Sequence, residues 1–274
     1  MPERVLVTGA AGVVGTLMRP RLRRPGRVLR LLDLAPLESD PAAGDAQEHL
    51  VGSVTDPGAM AIACKGVDAV IHLGGLSREA SWEDTLAVNV DGTRTLLEAA
   101  REAGVRRVVL ASSNHAVGFR PVSEAGPDGL PADSSPRPDT YYGVSKAAIE
   151  ALGSLYHSRF GMDVIAVRIG SCFETPLPLG PRGLTTWLSP DDGARLFDAC
   201  LSAPDPGFRI IWGVSDNTRR VCSLAEAEAL GYRSEDDAER FADQLADLPA
   251  PSGAEAEFIG GGFTTAPLGE ANPL

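Results

Sequence analysis

Arg4-Val5-Leu6-Val7-Thr8-Gly9-Ala10-Ala11-Gly12-Val13-Val14-Gly15 decides how the rest of the chain is read. Val5, Leu6 and Val7 form a short apolar run, the pattern of a strand buried on both faces. Three glycines follow at the spacing Gly9-x-x-Gly12-x-x-Gly15, and then an amphipathic run through Leu17, Met18 and Leu22. Strand, glycine turn and helix make a phosphate-binding unit. Gly9 permits the tight turn, Gly12 lets backbone approach a pyrophosphate, and Gly15 allows close packing of helix on strand. A chain with 30 glycines produces such spacing by chance, but here the flanking strand and helix supply the context that the chemistry requires.

Outward from this unit, strand and helix patterns alternate, which predicts a parallel sheet covered on both faces. Further strands are expected at Arg27–Asp33, near His49–Val51, and at 69–73, 107–111, 163–168 and 209–212. Pro57 suits the first turn of a helix that runs to Cys64. A long helix is expected from Trp82 to Ala103, stopped by Gly104, and another from about Thr140 to Phe160. Ser189 before Pro190 reads as a helix cap and first position. The stretches 120–138 and 175–183 are rich in Pro and Gly and read as loops, the first placed to fold over a site. Two short helices and a tail holding Gly260-Gly261-Gly262 are expected after Ser223.

Length and charge bound the function. At 274 residues the chain suits one large domain with a small appended lobe, with the division expected between 1–172 and 173–274. Its net charge of −12 opposes binding to nucleic acid or to anionic membranes, so an anionic substrate would need a local cation. The acidic run from Glu226 to Glu257 reads as a solvated helical face. No apolar run is long enough to span a bilayer. Cys64, Cys172, Cys200 and Cys222 form no Cys-x-x-Cys pair and the four histidines no metal-ligand spacing, so no metal site is expected and a reducing cytoplasm is.

Asp33, at the end of the second strand, stands where a carboxylate would accept hydrogen bonds from an adenosine ribose and repel a 2′-phosphate, favouring NAD over NADP. In Tyr142-Gly143-Val144-Ser145-Lys146, the tyrosine and lysine are four apart and share one helix face. A phenol is a poor base at neutral pH, and an ammonium beside it makes it useful. Tyr141 has no such partner, because Ser145 follows it by four. The end of the fifth strand carries Ser112-Ser113-Asn114-His115, where side chains face a ligand crevice and alternation admits only one of the two serines.

These segments, together with His72-Leu73-Gly74-Gly75-Leu76-Ser77, Arg168-Ile169-Gly170-Ser171-Cys172 and Leu184-Thr185-Thr186-Trp187-Leu188-Ser189, resemble the uronate dehydrogenases. That family lies within the extended short-chain dehydrogenases/reductases, and the similarity covers nearly the whole chain. The resemblance implies an α/β, Rossmann-like doubly wound parallel sheet with a small C-terminal substrate-side lobe. It also implies oxidation of C1 of a pyranose hexuronate (D-glucuronate or D-galacturonate) to an aldarolactone, with Tyr142, Lys146 and Ser113 as catalytic residues. Aligned with related enzymes, Ser113 holds the substrate oxygen and Ser112 turns into the fold. The implied NAD contacts in the first half are Gly9, Ala11, Gly12, Val13, Val14, Gly15, Asp33, Leu34, Ser53 and Val54. Those that follow are Leu73, Gly74, Gly75, Asn89, Ser112, Tyr142, Lys146, Ile169 and Cys172. Ser77, Ser113, Asn114, His115, Tyr142 and Ser171 are implied to hold the sugar, and Arg182 its carboxylate through a two-pronged hydrogen bond. The resemblance further implies a homo-oligomer.

One position departs from the family. An aspartate there recognises adenine, and Ser53 stands in its place, which predicts weaker adenine contact. Two other readings compete. A nucleotide-sugar epimerase or dehydratase of the same extended class needs a larger lobe than the short stretch after Ser171 provides. A non-catalytic NAD sensor would commonly have lost the tyrosine or lysine, and both are present.

Overall fold

A computed structural model describes residues 3–38 and 44–271; the outermost ends of both expected segments, 1–2 and 272–274, lie outside them. In chain order the strands are β1 (Glu3–Thr8), β2 (Arg27–Asp33), β3 (Gln47–Val51), β4 (Ala69–His72), β5 (Arg107–Ser113), β6 (Asp163–Ile169), β7 (Ser171–Cys172), β8 (Trp187–Leu188) and β9 (Phe208–Gly213). Seven form one sheet in the order β3-β2-β1-β4-β5-β6-β9, and β7 pairs with β8 in a second. All the pairings are parallel.

Alternation along each strand divides the core. Val5, Val7, Ile71, Val109, Ile165 and Ile211 pack with Met18 of helix α1 (Val13–Arg21) on one face. Leu6, Val70, Val108, Leu110 and Val164 face the opposite way, onto helix α2 (Pro57–Cys64) and the later helices. The chain runs from β1 outward to β3 and then returns to β4 on the other side of β1. That switch opens a crevice at the carboxyl ends of β1 and β4.

Gly9 turns the chain at φ +68°, where an added Cβ would strike the backbone of Leu73 and Gly74 at 2.6 Å. A Cβ on Gly15 would come within 2.3 Å of the Gly9 carbonyl, so α1 can seat on β1 only with glycine there. The expected cap is formed where Ser189 accepts from Asp192 N at 2.9 Å, and Pro57 opens α2 as expected, with Asp56 ahead of it accepting from Gly58 N.

The long helix expected from Trp82 to Ala103 is interrupted. Helix α3 (Trp82–Thr85) passes into a π-helical turn, Leu86–Asp91, before helix α4 (Gly92–Glu102). The turn lets Asn89 point inward, where it binds both backbone groups of Leu76. Helix α5 (Tyr141–Phe160) is capped by Thr140 and ends at Gly161 in the left-handed region.

After Phe173 the chain still serves the main sheet, contributing β9 and helix α7 (Pro190–Ser202), which follows the short helix α6 (Gly183–Thr186). The stretch 175–183, expected to be a loop, holds a 3-10 turn, Leu177–Arg182, kinked at Gly180. Beyond Ser223 the described residues hold five short helical pieces where two helices were expected, with breaks at Gly231 and at Pro249 and Pro251. The acidic run there is more than a solvated face: Glu226 accepts from Ala132 N, Glu235 pairs with Arg195, and Glu239 with Arg219.

Candidate active site

The carboxyl ends of β1, β2, β4, β5 and β6 surround one cavity of about 630 Å³, the size of a cofactor-and-ligand cleft. At one end lie Gly9, Ala11, Gly12, Val13, Val14 and Gly15, with Asp33, Leu34, Ser53 and Val54 beside them. Leu73, Gly74, Gly75 and Ser77 form the middle. Ser112, Ser113, His115, Tyr142, Lys146, Ile169, Ser171 and Cys172 close the other end.

The first end fits a dinucleotide. An added Cβ on Gly12 would meet only the Gly9 carbonyl, at 3.2 Å, so the side of the turn facing the cavity is open to a phosphate. Asp33 Oδ2 accepts from Ala11 N at 2.8 Å and Oδ1 from Leu34 N at 2.8 Å, which fixes the carboxylate against the turn. Arg27 and Arg30 are engaged elsewhere, with Glu3 and Asp198 and with Glu48. Ser53 hydrogen-bonds Thr55 at 2.7 Å.

At the other end α5 brings Tyr142 and Lys146 to the cavity together, with the ammonium 5.3 Å from the ring centre. Burial pushes the Tyr142 phenol up to about 12; the Ser113 hydroxyl bonded to it pulls it down, and the charge of Asp139 pushes it further up. Burial pulls Lys146 down to about 8, against the opposing pull of Glu150. Lys146 Nζ donates to the Ala111 carbonyl at 2.7 Å, which holds the side chain across the cavity floor. Ser112 turns inward and donates to Glu150, which also binds the buried Arg168 through both carboxylate oxygens at 2.7 and 2.8 Å. That ion pair fastens α5 to β5 and β6.

His115 Nδ1 bonds Asp139 Oδ2 at 2.7 Å, leaving Nε2 as the nitrogen available to a ligand. Phe263 stacks on its ring at 3.8 Å. Ser171 is 3.2 Å from the Thr186 hydroxyl.

Three of the expected site residues do not line the cavity. Asn89 is spent on Leu76 and on Ser145 Oγ at 2.9 Å, and Ser145 in turn donates to the Tyr142 carbonyl. Asn114 and Arg182 both donate to the Ile259 carbonyl, at 3.2 and 2.5 Å. Among the described residues no carboxylate pairs with Arg182, and burial lowers its pKa.

Sequence reasoning missed Asp139, Phe263, Arg78 and Glu79. Asp139 stands one residue ahead of the α5 cap, and three glycines crowd it: a Cβ on Gly118 or Gly260 would fall within 2.0 Å of its carboxylate, and one on Gly143 within 2.9 Å. For Phe263 the signal was the glycine run before it, since Gly261 has φ +57° and lies against the Arg182 guanidinium. Arg78 lines the cavity and nothing in its local sequence marks it.

Residues 5–174 match the NAD dependent epimerase/dehydratase family. The chain is 40% identical over 266 residues to a uronate dehydrogenase of Pseudomonas putida, covering 96% of each. It is also 40% identical over 254 residues to an NAD-dependent glucose-6-phosphate dehydrogenase of Haloferax volcanii, covering 88% of this chain and 96% of that one. A mutant uronate dehydrogenase of Agrobacterium tumefaciens, crystallised in complex with NAD, superposes with a TM-score of 0.89 at 38% identity, covering 97% of this chain and 98% of the other.

Proposed function

The chain belongs to the NAD dependent epimerase/dehydratase family and, within it, to the uronate dehydrogenases, and from that membership we propose that it oxidises C1 of a pyranose hexuronate with NAD to give the aldarolactone. The observation that carries the reading is the single cavity joining the glycine turn and Asp33 to Ser113, His115, Tyr142 and Ser171.

NAD, when bound, supplies the hydride acceptor; the glycine turn and Asp33 would hold its phosphates and adenosine ribose. Tyr142 takes the proton of the C1 hydroxyl as hydride leaves C1, and Ser113 holds the same oxygen. With a phenol near 12, this base needs positive charge beside it to work at neutral pH, and Lys146 supplies part of it. His115 Nε2 and Ser171 receive sugar hydroxyls. Arg182 is the cation for the C6 carboxylate, the local charge that a chain of net charge −12 requires.

Among the described residues no helix is long and apolar enough to cross a membrane. Four free, buried cysteines suit a reducing cytoplasm. A homo-oligomer belongs to the same reading, and the exposed Leu155 and Phe160 of α5 offer apolar surface for it.

The test is NADH absorbance on mixing the protein with NAD and D-glucuronate or D-galacturonate, with D-glucose 6-phosphate in parallel. Both kinds of sugar carry an anion on C6. Higher kcat/KM for the uronates is expected, and turnover of the phosphate ester alone would transfer the assignment to it.

A further inference from the structure

The loop leaving β4 carries a buried carboxylate with no assigned role. Glu79 is 1% exposed. Its Oε2 accepts from Tyr142 N at 2.8 Å, and its Oε1 from Tyr141 N at 3.3 Å and from Gly269 N at 2.8 Å. Among the described residues these three amides are its partners, and no cation pairs with it. A carboxylate buried without a cation is costly, and here the positive end of the 20-residue α5 offsets the cost. Thr140 accepts from Gly143 N alone, at 3.1 Å, and Glu79 takes the two first-turn amides that Thr140 leaves over.

The third amide explains the arrangement. Residues 258–269 form a strap across the substrate end of the cavity. One end is pinned where Ile259 N donates to Arg120 O at 2.9 Å and Gly260 N to Gly118 O at 2.8 Å. The far end is pinned by Gly269 N on Glu79. Between the pins, the Ile259 carbonyl takes Asn114 and Arg182, and Phe263 lies over His115.

We propose that Glu79 is a positioning residue: one carboxylate holds the backbone of Tyr142 and the far end of the strap, so that the tyrosine and the cover of the sugar pocket are set together. Oε2 serves the tyrosine, and Oε1 mainly serves the strap. The proposal rests on the reading of Tyr142 as the base.

Glu79→Gln keeps the volume but turns one acceptor into a donor that opposes an amide; Glu79→Ala removes both acceptors. Turnover of hexuronate should fall about tenfold in the first and about 100-fold in the second, the scale expected of a slightly displaced catalytic group. NAD affinity by fluorescence titration should stay at the wild-type value. Amides of residues 263–269 should exchange faster with deuterium. A chain ended at Ala266 lacks the third amide: its KM for hexuronate should rise, and adding Glu79→Gln should lower kcat without raising KM again. Wild-type kcat and KM in Glu79→Gln would overturn the proposal. So would equal losses of turnover and NAD affinity, which would mean a merely structural role. If the wild-type chain leaves hexuronates unoxidised, the functional reading fails and the exchange measurement decides alone: faster exchange supports the clasp and unchanged exchange overturns it.

Discussion

The two ends of the cavity are built on opposite principles. The cofactor end is local: β1, the glycine turn and α1 lie within residues 3–21, and Asp33 follows twelve residues later. The substrate end is assembled from afar. Asn114 meets Ile259 across 145 positions, Arg182 meets it across 77, and Glu79 meets Gly269 across 190. A phosphate and a ribose demand the same backbone cradle whatever the substrate, so that cradle can be one compact unit. The sugar pocket is made from loops and a terminal strap, segments that can change without disturbing the sheet.

The division is weakest at Tyr142, which lines the one cavity that both ends share. Tyr142→Phe should lower kcat by roughly 10²- to 10⁴-fold while NAD affinity holds. A parallel loss of NAD affinity would show that the ends are not separable there. At the substrate end, Arg182→Met should raise KM for hexuronate roughly 10- to 100-fold, the value of a charge-assisted hydrogen bond, with NAD affinity unchanged. An unaltered KM would leave the carboxylate without its cation.

How much could be read in advance follows the same division. The strand-turn-helix unit, the parallel sheet, Asp33 and the Tyr142–Lys146 pair announce themselves through short spacings that only a few structures satisfy. Asp139 and Glu79 do not, since their meaning lies in His115, 24 positions away, and in amides 62, 63 and 190 positions away. The π-helical turn at Leu86–Asp91 was hidden for a related reason. The apolar pattern there suits an ordinary helix, and the demand for an extra residue comes from Leu76 and Ser145 on other segments.

Beneath the cavity, a hydrogen-bonded chain joins the two ends. Gly74 N donates to Thr8 Oγ1, which lies 2.7 Å from His72 Nδ1. His72 Nε2 lies 3.0 Å from Thr93 Oγ1, which donates to the Asn89 carbonyl. Burial, helped by the charge of Lys146, lowers the His72 pKa from 6.5 to about 3. The unfolded imidazole therefore binds a proton in that window that the folded one refuses, and stability falls as pH drops from 6.5 toward 3. The slope is about 1.4 kcal/mol per pH unit, a tenfold change in the unfolding constant. Urea melts across this range should show that slope reduced in His72→Gln; an identical slope would mean that His72 titrates normally. The smallest effect belongs to the cofactor end. Ser53→Asp should tighten NAD about threefold by restoring a charged acceptor for adenine, measured by fluorescence titration. No change would remove this position from adenine recognition.

If hydride leaves C1 of a hexuronate in this cavity, an isotope placed on that atom will follow it. With D-glucuronate deuterated at C1, one turnover should place one deuterium on the nicotinamide ring, seen by NMR of the isolated cofactor, and Tyr142→Phe should slow the transfer by roughly 10²- to 10⁴-fold. A protonated nicotinamide ring after turnover, or deuterium arriving only from sugar labelled at C4, would contradict it and point to epimerase-type chemistry in the same fold.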